Sequence, residues 1–268
     1  MKIDLEIQTD KTIKHNTPDL PADHAGRSGY LYRDAWSEEV KRALNDFISL
    51  YGKNSLEYEG NAYVVFDFDD TCAIFDAEVM GIYHRLKTMQ FAFTPEQLPD
   101  ILATGLGKLE VMRIGDFSMD GKEHSYQDWI DDIVSAYTYL WNIYGPFDYR
   151  GLAEAEQSKM QKDPMWAEFA VKMRMLFMVA NTSEGDFATY PWYKCWNTGM
   201  TEQEVYEISK DIYLKYKDVE TYEETWATSS EIKSKVGQVV ANWIVGISVT
   251  PNIRELMKAL HENGIDVW

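Results

Sequence analysis

The chain has 268 residues, 45% of them hydrophobic and 14% aromatic, so it can bury a sizeable core and is not a disordered composition. Acidic residues number 44 against 26 basic ones, a formal charge of -18, which repels nucleic-acid backbones and anionic membrane surfaces and argues against both as partners. A phosphorylated metabolite is repelled too, unless a lysine, an arginine or a bound cation neutralises it locally.

The opening MKIDLEIQTDK lacks the basic, apolar and small-residue order of a secretory signal, and no apolar run approaches a membrane span. A cytoplasmic protein is therefore expected. Cys72 and Cys195 lie far apart with no metal-ligand or disulfide spacing, and both are expected as buried thiols.

Residues 1–36 contain NTPDLPADHAGRSG and read as an extended N-terminal arm. Ser37, followed by Glu38 and Glu39, opens a helix that puts Val40, Leu44, Phe47, Ile48 and Tyr51 on one face before Gly52 stops it. AYVVF, residues 62–66, is short, apolar and rich in strand formers, which predicts a buried strand ending at Asp67. Residues 77–246 then turn helical and aromatic. Helix starts are predicted at Thr94 with Gln97, at Ser125, at Asp163 with Pro164, and at Thr201 with Glu204. TYPWYKCWNTGM, residues 189–200, reads as an aromatic loop, and VGQVVANWIVGISV, residues 236–249, as a short strand pair. Thr250 and Pro251 open a last helix with Ile253, Leu256, Met257 and Leu260 on one face; Gly264 ends it, and IDVW begins a second buried strand.

The chemistry concentrates in DFDDT, residues 67–71. A strand that runs directly into D-x-D-x-T carries carboxylates at its carboxyl end, the edge where open α/β sheets bind ligands. Asp67 and Asp69, two apart, face one side of an extended segment. Paired carboxylates suit a hard divalent cation, and magnesium takes few protein oxygens while keeping positions for water and phosphate. One aspartate can then attack phosphorus while the other moves the proton.

FDFDDT, together with GISVTPNIRELMKALHENGIDVW, resembles the haloacid dehalogenase-like hydrolase superfamily, and within it phosphoserine phosphatase-like and phosphorylcholine phosphatase-like members. The resemblance implies an α/β, Rossmann-like core, only partly present, with a large helical cap inserted after the first core strand. On this reading residues 37–76 and 247–268 are partial core and 77–246 are cap. It implies that Asp67 is the phosphoryl-accepting nucleophile, Asp69 the general acid/base, and Mg2+ the cofactor, held by the Asp67 carboxylate and the Asp69 backbone carbonyl. Thr71 and Glu78 are the expected substrate contacts, Glu78 toward a cationic group of the substrate. The family's later motifs lie beyond GIDVW and have no counterpart here, so the chain is expected to be C-terminally incomplete.

The expected activity is hydrolysis of a small phosphate monoester, phosphorylcholine-like or phosphoserine-like, through an aspartyl-phosphate. The alternative is a non-catalytic ligand-binding or interaction module derived from such a phosphatase; a third arrangement has a second polypeptide complete the core. Trp192, Tyr193 and Trp196 suit an aromatic cage for a quaternary ammonium or, as the blander reading, core packing. Lys108 and Arg113 read as surface charges, and His84, His124 and His261 lack metal-ligand spacing.

Overall fold

A computed structural model describes residues 29–33, 36–104, 122, 124–184 and 186–268. In chain order the elements are α1 (Glu38–Tyr51), β1 (Tyr63–Val64), β2 (Ala73–Ile74), α2 (Ala77–Thr88), α3 (Leu98–Ala103), α4 (Tyr126–Tyr144), α5 (Glu154–Met160) and α6 (Pro164–Glu184). They continue with α7 (Asp186–Lys194), a 3-10 turn (Cys195–Asn197), α8 (Glu202–Tyr216), β3 (Tyr222–Ala227), β4 (Val240–Val245), β5 (Ser248–Val249), α9 (Pro251–Glu262) and β6 (Asp266–Val267). The fold is thus mixed α/β and mostly helical. The chain divides into two compact units, one reaching Cys72 and resuming at Val249–Trp268, the other Ala73–Ser248. Among the described residues no helix is long and apolar enough to cross a membrane.

In the first unit, α1 and α9 both start on hydroxyl caps. Ser37 Oγ accepts from the Val40 N–H and Thr250 Oγ1 from the Ile253 N–H. Ile48 of α1 and Leu256, Ala259 and Leu260 of α9 form a core with Tyr30, Leu31 and Ile265. The end of the N-terminal segment is tied to it: Asn45 Oδ1 accepts from Tyr30 N at 2.6 Å, and the Glu255 carboxylate from Tyr32 N at 2.8 Å and Trp36 Nε1 at 3.2 Å.

β1 and β6 pair in parallel, Tyr63 opposite Asp266 and Val64 opposite Val267. The expected burial of AYVVF holds on one face only. Ala62, Val64 and Phe66 pack on the helix pair, whereas Tyr63 and Val65 are 65% and 68% exposed. Successive side chains point to opposite faces, and only one face of this pair is covered.

In the second unit, α4 starts on a full capping box between Ser125 and Asp128 and α8 on one between Thr201 and Glu204. α4 packs against α6 around Phe91, Phe93, Tyr137 and Phe169, whose rings meet at tilted or edge angles. Inside this core Lys172 is fully buried, held by Asp132 Oδ2 at 2.9 Å, Ser234 Oγ at 2.8 Å and the Glu168 carboxylate one turn earlier on α6. Asp132 in turn accepts from the backbone N–H groups of Lys235 and Val236, each at 2.9 Å. The network bolts the segment between β3 and β4 to two helices.

Three local expectations change here. The helix foreseen at Thr94 begins only at Leu98: Gln97 Oε1 reaches back to Thr94 N at 2.8 Å, but the residues between form a turn. Residues 189–200 are not a loop. α7 runs through Pro191, because Trp192 and Tyr193 gain more from packing on Phe177 of α6 than the helix loses at one proline N–H. β3 falls within the stretch read as helical; it pairs antiparallel with β4 and buries Trp226 against Trp243.

Lys172→Met should destabilise the protein by about 3–5 kcal/mol in urea denaturation, because it leaves Asp132 and Glu168 buried without their cation. A second expectation concerns pH. His84, buried with Nδ1 2.9 Å from the Tyr216 hydroxyl, is pushed down to about 4 by burial and then by the Lys215 and Lys87 charges. Its unfolded value is near 6.5, so the unfolded chain binds the extra proton between these limits. The stability it contributes is complete above about pH 6.5 and is lost by about pH 4, roughly 3 kcal/mol in all. Denaturation midpoints should fall across that window, and less so in His84→Gln.

Candidate functional site

The parallel ladder closes with Trp268 N donating to Val64 O at 2.9 Å and Phe66 N to Trp268 O at 2.8 Å. Asp67 is the next residue, at the carboxyl end of the strand and exposed. The chain then reverses in one turn. Cys72 N donates to Phe68 O at 2.9 Å, and the Thr71 hydroxyl donates to Asp67 Oδ2 at 2.8 Å. Asp70 has φ 53°, the left-handed region that few side chains other than glycine, asparagine and aspartate enter readily. The third carboxylate of FDFDDT thus has a conformational reason to be there. Asp69 is half-buried, and Cys72 is buried beneath the turn, its thiol pushed up by burial first and by the Asp67 charge second.

Asp67, Asp69 and Thr71 therefore share one turn, with Thr71 fixing the Asp67 carboxylate. An exposed carboxylate beside a second aspartate fits magnesium, which commonly takes only one or two protein carboxylates. Among the described residues there is no group of three or more His, Cys, Asp or Glu side chains arranged around a common point. His84 and His124 are buried and His261 is exposed. Lys108 and Arg113 lie outside the described residues.

Glu78 belongs to the second unit, on the first turn of α2. Asp76 caps that helix, accepting from Glu78 N at 2.5 Å and Val79 N at 3.0 Å, and also from the Tyr190 hydroxyl at 2.7 Å. Glu78 Oε1 is ion-paired with Lys194, while Oε2 is buried without a hydrogen-bond partner among the described residues. The pair borders a cavity of about 220 Å3 between α2, the end of α7 and α8.

Two groups of this unit escaped sequence reasoning. Arg174, 9% exposed, lays its guanidinium 4.6 Å from the Trp243 ring centre, with Nε and Nη1 buried and unpartnered among the described residues. Burial lowers it to about 10 against the opposing charges of Asp76 and Tyr190. Lys194 is the other. The signal for Arg174 was present: Glu168, Lys172 and Arg174 interrupt an otherwise apolar run on α6, and charges at such positions are seldom solvated.

The aromatic stretch resolves toward packing. Trp192 and Trp196 are fully buried with rings 5.5 Å apart, and Trp192 Nε1 donates to Leu102 O at 3.0 Å. Cys195 is half-buried rather than buried.

No protein-family model and no curated protein matches the chain. The fold is similar to that in the crystal structure of a conserved functionally unknown protein from Anaerococcus prevotii DSM 20548. The TM-score is 0.70 at 24% identity, over 90% of this chain and 62% of the other. The likeness is one of fold, and the chain spans about three fifths of the length of that protein.

Substitutions at Asp70 should separate turn geometry from charge. Asp70→Gly should leave stability unchanged or raise it slightly, whereas Asp70→Val should lower it by about 1–3 kcal/mol because a β-branched residue is strained at positive φ. Thermal melts of the two variants check this; equal losses would mean that the carboxylate, not the backbone, matters.

Proposed function

We propose that the chain is a magnesium-dependent phosphatase of the haloacid dehalogenase-like type, acting on a small phosphate monoester. The observation that supports it best is the D-x-D-x-T turn at the carboxyl end of a parallel strand, with the Thr71 hydroxyl 2.8 Å from Asp67 Oδ2. That bond engages one oxygen of the Asp67 carboxylate.

In this reading the Asp67 carboxylate and the Asp69 backbone carbonyl hold Mg2+, which when bound supplies the positive charge that a chain of -18 otherwise withholds from phosphate. An Asp67 oxygen attacks phosphorus, the bond from phosphorus to the substrate oxygen breaks, and Asp69 gives that oxygen a proton. Water then attacks phosphorus, Asp69 takes its proton, and the Asp67–phosphate bond breaks. Thr71 holds Asp67 in its attacking rotamer. The substrates of this reading are phosphorylcholine-like or phosphoserine-like molecules.

One observation favours a second polypeptide that completes the core. Parallel sheets are normally covered on both faces, and here Tyr63, Val65 and Trp268 leave one face of the β1–β6 pair bare. Activity would then depend on that partner, and the chain by itself would be a binding module.

Release of p-nitrophenol from p-nitrophenyl phosphate should require Mg2+ and fall at least about a thousandfold in Asp67→Asn. Asp69→Asn should cost less with this substrate than with an alkyl phosphate, since p-nitrophenolate leaves without a proton. Absence of magnesium-dependent turnover in the unaltered protein would sink the catalytic reading for this chain.

A further inference from the structure

The cavity between α2, the end of α7 and α8 is lined by hydrogen-bond donors that have nothing to donate to. Tyr193 is 7% exposed; its hydroxyl makes no hydrogen bond among the described residues, yet it is not sealed from the cavity it lines. A Cβ on Gly81 would come within 3.0 Å of that oxygen, so a glycine in the middle of α2, unfavourable for the helix itself, keeps the space around the hydroxyl open. Asn197, four residues on, accepts from Arg85 Nη1 with its Oδ1 at 2.8 Å, which fixes the amide and leaves the N–H groups of Nδ2 unpartnered among the described residues. Ser209 and Tyr213 also line the cavity, exposed on α8, and the Ser209 hydroxyl already donates to Val205 O at 2.9 Å.

The charges point the same way. Lys194 and Glu78 neutralise each other. Arg85, 3% exposed, has no such partner: it donates only to neutral acceptors, among them Gln90 O at 3.1 Å and Trp196 O at 2.6 Å, and pairs with no carboxylate among the described residues. A buried charge normally has a counter-charge. The field of this one reaches the cavity through both free donors, because the guanidinium lies 5.9 Å from the Tyr193 ring centre and polarises the Asn197 amide through Oδ1.

We infer that this cavity is a binding site for a small monocarboxylate with an apolar body, its carboxylate taken by the Tyr193 hydroxyl and the Asn197 amide and its body laid along Val205, Ile208 and Ile212. Carboxylate oxygens accept what these donors offer, and the anion supplies the counter-charge that Arg85 lacks. An ammonium group would meet donors and a like charge. Size bounds the body: an apolar cavity of about 150 Å3 holds one benzene, and this one measures about 220 Å3, room for a six-carbon ring with a short arm. The site goes beyond the phosphatase reading and requires no phosphoryl transfer.

The test is titration with phenylacetate, phenylacetamide and 2-phenylethylamine, without magnesium or phosphate, so that its failure and that of the phosphatase reading are distinguishable. Binding is followed by calorimetry and by amide shifts of Gly81, Asn197 and Ile208. Phenylacetate should bind at least about tenfold more tightly than the neutral amide or the amine, about 1.4 kcal/mol. Tyr193→Phe, which removes only the hydroxyl, should weaken phenylacetate at least about threefold. Asn197→Asp gives Arg85 a carboxylate of its own and removes the amide donors, so it should abolish the preference for phenylacetate; melting verifies that both variants fold. Equal binding of acid and amide, affinity unchanged in Tyr193→Phe, a preference that survives Asn197→Asp, binding that leaves those three amides unmoved, or no binding of phenylacetate would each overturn the inference.

Discussion

The first unit depends on hydrogen bonds that join residues 62–66 to residues 266–268. Ala62 O, Val64 O and Phe66 N meet partners some two hundred positions away in the chain, and only this closure lays α1 and α9 on a common strand pair. Loop-closure entropy grows only logarithmically with length, so a long intervening segment costs little more than a short one would. The larger opposing term is the ordering of the closing residues themselves. Apolar burial of Ile48, Leu256, Leu260 and Ile265 is what offsets it. Asp67 inherits its position from this arrangement, as the first residue past the last ladder bond.

Sequence reading succeeded where the cause is local. A helix cap needs a hydroxyl or carboxylate within three residues of the N–H groups it serves, so Ser37, Ser125, Thr201 and Thr250 could be found by spacing alone. The D-x-D-x-T turn was legible for the same reason, since its bonds from Thr71 to Asp67 and from Cys72 to Phe68 span only four residues. It failed where the cause is distant. α7 overrides Pro191 because of Phe177, and β3 exists because β4 offers it a partner and Trp243 covers Trp226. One-sided burial of β1 could not be read from AYVVF, because an apolar run states what a strand tolerates and not what covers it.

The buried charges of the second unit divide into those that are satisfied and those that are not. Lys172 Nζ donates to three oxygens, although Glu168 Oε1 beside it is left without a partner among the described residues, and Arg85 is closed by two carbonyls and an amide. Arg174 and Glu78 each keep buried polar atoms without a partner among the described residues. The distinction matters because a closed set rigidifies a core, while an open one stores a penalty that water or a ligand can relieve. Of the four, sequence patterning singled out only Glu78, and it had no means of telling the two kinds apart, since that depends on contacts between α2, α4, α6 and the segment before β4.

The Lys172 cluster also constrains how this protein can drift. Asp132, Glu168 and Lys172 sit on two helices, and any one of them replaced alone strands its partners in an apolar interior. Substitution must pass through that unstable intermediate or change several codons together. Among descendants of a common ancestor the three positions should therefore be inherited as a block, either all charged or all replaced by packing residues. Exposed pairs such as Lys258 with Glu262, where each change is nearly neutral, should come and go independently.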